Sequence, residues 1–169
     1  MARNITPDEA LVEHRLLRES PEKYIEKMSA FIGAHPDDSS GYFARAGGWQ
    51  ILRRLDKALE DIDRSLALDE KPITLLTRGE LLMELGHYEE ALKDFNRAET
   101  LDSAQWTDCW GPLYRANCHA RLGHEQAALG DCSKLPDGFF SPGLSGTPSG
   151  NKKQIIAEIR RRAEAAKRG

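Results

Sequence analysis

The sequence predicts an all-α solenoid of helical hairpins, with a degenerate hairpin at its N-terminal end and a capping helix at its C-terminal end. Two observations lead there. First, a set of residues recurs in register. Arg45, Arg78 and Arg115 are each followed by a small residue (Ala46, Gly79, Ala116), by a Leu seven positions on (Leu52, Leu85, Leu122), by an Ala-Leu pair (Ala58-Leu59, Ala91-Leu92, Ala128-Leu129) and by an Asp sixteen positions on (Asp61, Asp94, Asp131). Offsets of 33 and 37 residues superimpose every column. A repeat of that period marks stacked units that cannot bury their apolar faces alone. Second, each unit reads as two helices. In the middle one, Leu75, Leu76, Gly79, Leu82, Met83 and Leu85 recur at helical spacing, Gly86-His87 makes the turn, and Tyr88, Ala91, Leu92, Phe95, Ala98 and Leu101 form the next stripe.

The elements follow in order. Residues 1–38 form the degenerate hairpin: Thr6-Pro7 and Ser20-Pro21 each fit an N-cap followed by Pro at the first helical position. The Arg and Asp columns are missing here, as Leu11 and Lys27 show, and terminal units of a solenoid are commonly atypical. Residues 39–71, 72–104 and 105–135 are the three regular units. Four extra residues around Ala104-Gln105-Trp106-Thr107 read as a longer inter-repeat loop. Thr107 or Asp108 caps the helix after it, and Pro112 lies in that helix's first turn. Residues 136–150 carry three Pro and four Gly and read as a loop, yet Phe139, Phe140 and Leu144 are poor choices for a free linker. A basic helix spans 151–169, with Ile155, Ile156, Ile159 and Ala163 on one face and Arg160, Arg161, Lys167 and Arg168 outside it.

The stretch from Gly79 to Asp102, GELLMELGHYEEALKDFNRAETLD, resembles the tetratricopeptide repeat family closely; residues 39–71 and 109–135 resemble it less completely. The departures are Arg53 where the family prefers a turn Gly, Trp49 at a usual Tyr position, Ser65 in place of Ala, and Cys132 in place of an aromatic. The resemblance implies a protein–protein interaction scaffold or adaptor that binds a partner peptide or protein along the concave face lined by each unit's first helix. Carried over by position, that face takes Phe43, Leu76, Glu80, Met83, Glu84, Trp110, Leu113, Asn117 and Arg121. The family's clamp for a peptide C-terminal carboxylate does not carry over. Phe43, Gly47, Thr77 and Tyr114 stand at its other places, and only Asn117 and Arg121 suit it. The face reads as apolar with acidic edges: a binding surface if open, ordinary core if covered in cis.

Chemistry finds little support. Sixteen residues across an antiparallel hairpin brings the pairs Arg45–Asp61, Arg78–Asp94 and Arg115–Asp131 face to face, which reads as structural ion pairing rather than an anion-binding ladder. Cys118 and His119 point about 100° apart on a helix, and Cys109 and Cys132 complete no C-x-x-C spacing. Neither a metal site nor a disulfide framework is expected. Without a phosphate loop or a nucleophile–base pair, neither is an enzyme or a cofactor. The chain has 169 residues and a net charge of −3, while residues 151–169 alone hold an excess of five positive charges, so the remainder is acidic. Neither a membrane-length apolar run nor an apolar signal core is present, so the expectation is a cytoplasmic protein. The tail carries three readings: a cap on the last repeat, a flap closing the groove in cis as in a regulatory subunit, or a contact for nucleic acid. The lack of aromatic residues among its basic ones argues against the last.

Overall fold

The computed structural model describes residues 7–108 and 110–168, without the side chains of residues 7–10, 105, 107, 108 and 144. Thr6 and Cys109 therefore lie outside the described residues, as do the side chains of Thr107, Asp108 and Leu144. The expected cap at Thr107 or Asp108 is corrected, because both lie inside the preceding short helix and Trp110 stands at the cap of the helix that begins at Gly111. The chain divides into two compact units, Met1–Glu70 and Lys71–Gly169.

The first unit contains α1 (Pro7–Glu19), α2 (Pro21–Ala34), α3 (Ser39–Ile51) and α4 (Leu55–Leu68). Pro21 opens α2 as expected, but Ser20 makes no capping hydrogen bond with its side chain. Asp38 does cap α3, accepting from the Ser40 N–H at 2.9 Å. Tyr24, Ile25, Met28 and Ile32 of α2 are buried, as are Ala46 of α3 and Ala58 and Ile62 of α4. Close helix approach depends on Gly48, where a methyl would overlap Ile25. The α3–α4 turn solves a problem visible in the sequence. Arg53 adopts φ 56°, the same left-handed conformation that Gly86 (84°) and Gly123 (74°) adopt in their turns. The geometry persists without glycine, at a cost of about 1–2 kcal/mol.

The second unit contains α5 (Pro72–Glu84), α6 (Tyr88–Leu101), α7 (Ser103–Asp108), α8 (Gly111–Arg121), α9 (Glu125–Ser133), β1 (Phe140–Pro142), β2 (Ser149–Asn151) and α10 (Lys152–Ala166). Two expectations are corrected here. The four-residue insertion is the short helix α7 rather than a loop. It delivers Trp106, 1 % exposed, beside Phe95, and Gly111 has no Cβ because the indole fills that space. Residues 136–150 are not only loop: β1 and β2 pair antiparallel, Phe140 opposite Asn151 and Pro142 opposite Ser149. Phe139 packs against the core as expected, whereas Phe140 stays exposed.

The small-residue column shows size compensation. Gly79 lies under the Phe95 ring, where a methyl would overlap it. The same two columns hold Ala46 with Ile62 and Ala116 with Cys132, so the smallest first member accompanies the largest second one. α10 begins with a capping box, Asn151 and Gln154 each bonding the other's backbone N–H. Its Ile155, Ile159 and Ala163 join Leu113, Ala116, Ala120, Ala128, Cys132 and Leu135 in one core, with Ile156 at its margin. Among the described residues, no helix is long and apolar enough to cross a membrane.

Candidate functional site

All three predicted ion pairs form, each bidentately. Arg45 meets Asp61 at 2.8 and 2.6 Å, Arg78 meets Asp94 at 2.7 and 2.7 Å, and Arg115 meets Asp131 at 2.8 and 2.6 Å. The Asp side chains are buried in every case. The pairs are not equivalent. Trp49, the departure from Tyr, donates its indole N–H to Asp61 at 3.1 Å, and Arg45 also reaches Ser29 at 3.1 Å. Arg115 is itself buried, donates to Glu99 (2.6 Å) and Asn96 (2.8 Å), and lies 4.8 Å from the Trp106 ring centroid. Hydrogen bonding to Asp61 raises the Arg45 pKa above its ordinary value. At Arg115 burial opposes the charge, but the bonds to Asp131 and Glu99 outweigh it and the pKa is again raised. These arginines hold hairpins together and are engaged on their own aspartates.

The residues assigned to a concave face divide between the units. Phe43 lies on α3 of the first unit and is half-buried. The other eight belong to the second unit, on α5 and α8 or, for Trp110, at the cap of α8. They are not an open surface. Leu76 and Met83 are 4 % exposed, Leu113 0 % and Asn117 2 %. Glu80, Glu84 and Trp110 are half-buried, and Arg121 alone is exposed.

The C-terminal segment lies against several of these residues. The Ser145 hydroxyl, on the 3-10 turn Leu144–Gly146, donates to Glu80, and the Tyr114 hydroxyl donates to the same oxygen at 3.3 Å. Asn117 donates from Nδ2 to the Met83 sulfur at 3.2 Å and accepts at Oδ1 from Arg162 of α10 at 2.7 Å. Arg162 also donates to the Gly146 carbonyl at 2.6 Å, which ties α10, the turn and α8 together. Phe139 meets the Trp110 ring edge-on, centroids 5.4 Å apart. Burial pushes the Glu80 carboxyl above the usual carboxylate range; the Ser145 hydroxyl opposes that shift, Glu84 one turn on adds to it, and Tyr114 opposes it.

Sequence reasoning missed Tyr114, Ser145 and Arg162 as members of this site. Tyr114 and Glu80, like Asn117 and Met83, are 34 residues apart, a separation close to one repeat that could have paired them. Nothing in the sequence singled out Ser145 or Arg162.

Two thiols and two imidazoles lie among the described residues of α8, α9 and the turn between them. Cys118 and Cys132 are buried and free, and burial pushes their thiols up to about 12 and about 11. The thiolate is the nucleophile and metal ligand, so both are inert at neutral pH. His119 is held below its ordinary pKa by burial, and its ring lies 5.8 Å from that of His124. Among the described residues, no three His, Cys, Asp or Glu come together as metal ligands.

The comparisons with known proteins agree with this geometry. Residues 72–104 match the family model for the tetratricopeptide repeat. Two crystal structures of MamA share the fold. One has a TM-score of 0.67 at 15 % identity, covering 91 % of this chain and 85 % of that one. The other has a TM-score of 0.69 at 13 % identity, covering 98 % and 97 %. No curated protein matches the sequence. Residues 72–104, which form α5 and α6, thus match a tetratricopeptide repeat, the same Arg–Asp geometry recurs in the α3–α4 and α8–α9 hairpins, and the chain shares the fold of the two MamA structures.

Proposed function

We propose that the protein is a non-catalytic interaction scaffold whose second unit binds a partner peptide or protein through α5 and α8, in competition with its own C-terminal segment. The observation that carries this reading is the seating of the tail on groove positions: Ser145 on Glu80, Arg162 on Asn117 and Phe139 on Trp110. These are the positions at which the family's first helices meet a ligand. A chain segment that fills them supports a groove closed in cis, the arrangement of a regulatory subunit or a gated adaptor. The buried, high-pKa thiols are consistent with a protein that performs no chemistry.

The test is capture from a cell extract followed by mass spectrometry, with the intact chain and a Ser145→Ala/Arg162→Met double variant as baits. The variant loosens the turn while leaving the isoleucines of α10 in place. A specific partner enriched by the variant and competed away by a synthetic peptide of residues 136–150 supports the reading. Equal capture by both baits, unaffected by that peptide, would put the binding surface elsewhere.

A further inference from the structure

Glu80 sets the chemistry of whatever displaces the turn. It is half-buried on α5, between buried Leu76 and Met83. Among the described residues its hydrogen-bond donors are the hydroxyls of Ser145 and Tyr114, both neutral. A carboxylate out of water is best compensated by a cation, and a charge-assisted hydrogen bond is roughly twice as strong as a neutral one. Arg162 of the covering segment is directed elsewhere: it donates to Asn117, to the Gly146 carbonyl and to Glu158.

The covering segment has two parts of unequal hold. α10 is fixed by Ile155, Ile159 and Ala163, each 0 % exposed, and Ser141 and Thr147 at the flanks of the turn are buried. Among the described residues the tip between them is held by polar contacts, Ser145 on Glu80 and Arg162 on the Gly146 carbonyl. Gly143, Ser145 and Gly146 all adopt positive φ, and neither Ser145 nor Gly146 is buried. Segments that open for ligands come from the low-stability end of a structure.

Resting on the groove reading above, we propose that Glu80 receives a Lys or Arg side chain from a basic segment of a partner protein. That side chain displaces the Leu144–Gly146 turn while α10 stays on α8 and α9. Charge complementarity selects this occupant: Glu80 and Glu84 stand one turn apart on α5, and the groove carries no clamp for an acidic terminus. The Ser145 hydroxyl contact and the Arg162 bond to the Gly146 carbonyl are exchanged for one ion pair, the Tyr114 hydroxyl stays in place on α8, and the released tip moves into water.

The experiment titrates the intact chain with matched peptides of apolar flanks whose central residue is Arg, Lys, citrulline or Glu. The Arg and Lys peptides should bind about tenfold tighter than the citrulline one. Ser145→Ala should strengthen cation binding several-fold by raising the open population. Glu80→Gln, near-isosteric and checked for unchanged helix content, should remove the preference. Equal affinity for Arg and citrulline peptides, or a preference that survives Glu80→Gln, overturns the cation subsite and leaves the groove reading standing. If no peptide binds either the intact chain or the Ser145→Ala/Arg162→Met variant, both fail. Self-association of the isolated chain that Glu80→Gln abolishes would assign the cation to a second copy and overturn the proposed partner.

Discussion

The two units repeat the same chemistry under different cover. In the second, the terminal helix α10 buries Ile155 and Ile159 completely; in the first, the terminal helix α1 leaves Leu11 70 % and Val12 54 % exposed. The ion pairs differ pair by pair rather than unit by unit. The Arg115 side chain keeps 8 % of its surface exposed, against 24 % for Arg45 in the first unit and 30 % for Arg78 in the second. One motif is therefore a core element at Arg115, where the Trp106 ring lies beside it, and a partly wetted strut at Arg45 and Arg78. Residue identity fixes the pairing; what lies over it fixes how much the pairing matters.

The largest expected effect breaks that comparison at the ion pairs. Asp131→Ala strands a buried guanidinium and should cost about 3–5 kcal/mol. The partners that remain are the neutral Asn96 side chain and Glu99, which is half-buried and shared with Lys134. In Asp61→Ala, Arg45 can turn toward water, and the cost should fall to about 1–3 kcal/mol. Urea denaturation of the two variants reads the difference, and equal losses would mean that burial does not separate the pairs.

The terminal helices come next. Ile159→Ala should destabilise by about 2–5 kcal/mol, since it opens a cavity in the core beneath α10. Leu11→Ala should stay within about 0.5 kcal/mol. A comparable loss at Leu11 would show that α1 is covered in solution.

A smaller effect sharpens the comparison at the turns. Arg53→Gly relieves a left-handed side-chain residue, but it adds freedom to the unfolded chain. A net gain of up to about 1 kcal/mol is expected, read as a rise in melting temperature. Gly86→Ala in the second unit should move it the other way.

The smallest concerns Glu80 and pH. Its folded-state pKa is raised by burial, so the native state holds the proton more tightly than the unfolded chain does. The stabilisation is fully present below the ordinary value of 4.5 and fades as pH rises through the folded value. Glu80→Gln should remove this component, leaving stability less dependent on pH above 4.5 than in the parent chain. An unchanged pH profile would show that the carboxyl is solvated.

Much of this architecture is legible in the sequence because it is periodic. The Arg and Asp columns sixteen apart state the hairpin pairing outright, and the isoleucine stripe of α10 announces a helix with a surface to cover. What is not periodic could not be read that way. The insertion that becomes α7 has no counterpart in the other units, so nothing marked Trp106 as the ring beside Arg115. Phe139 and Phe140 are adjacent and alike, and only the β1–β2 register decides that one packs and the other does not. The groove list named positions on α5 and α8 but not what covers them, because cover depends on where a Gly-rich turn comes to rest. Ser145, in a left-handed conformation few non-glycine residues adopt, carries no local sign of its contact with Glu80.

The central claim is that the tail closes the inner face of the second unit, beyond merely capping its last hairpin. Isotope-edited nuclear Overhauser spectra of the intact chain in solution test it most directly. The account predicts cross-peaks between the Phe139 and Trp110 rings and from the Ser145 β-protons to the side chains of Glu80 and Tyr114, together with contacts from Ile155 and Ile159 to the α8–α9 core. Preserved isoleucine contacts with no cross-peak from residues 139–147 to α5 or α8 would contradict it, leaving α10 as a cap beside an open groove.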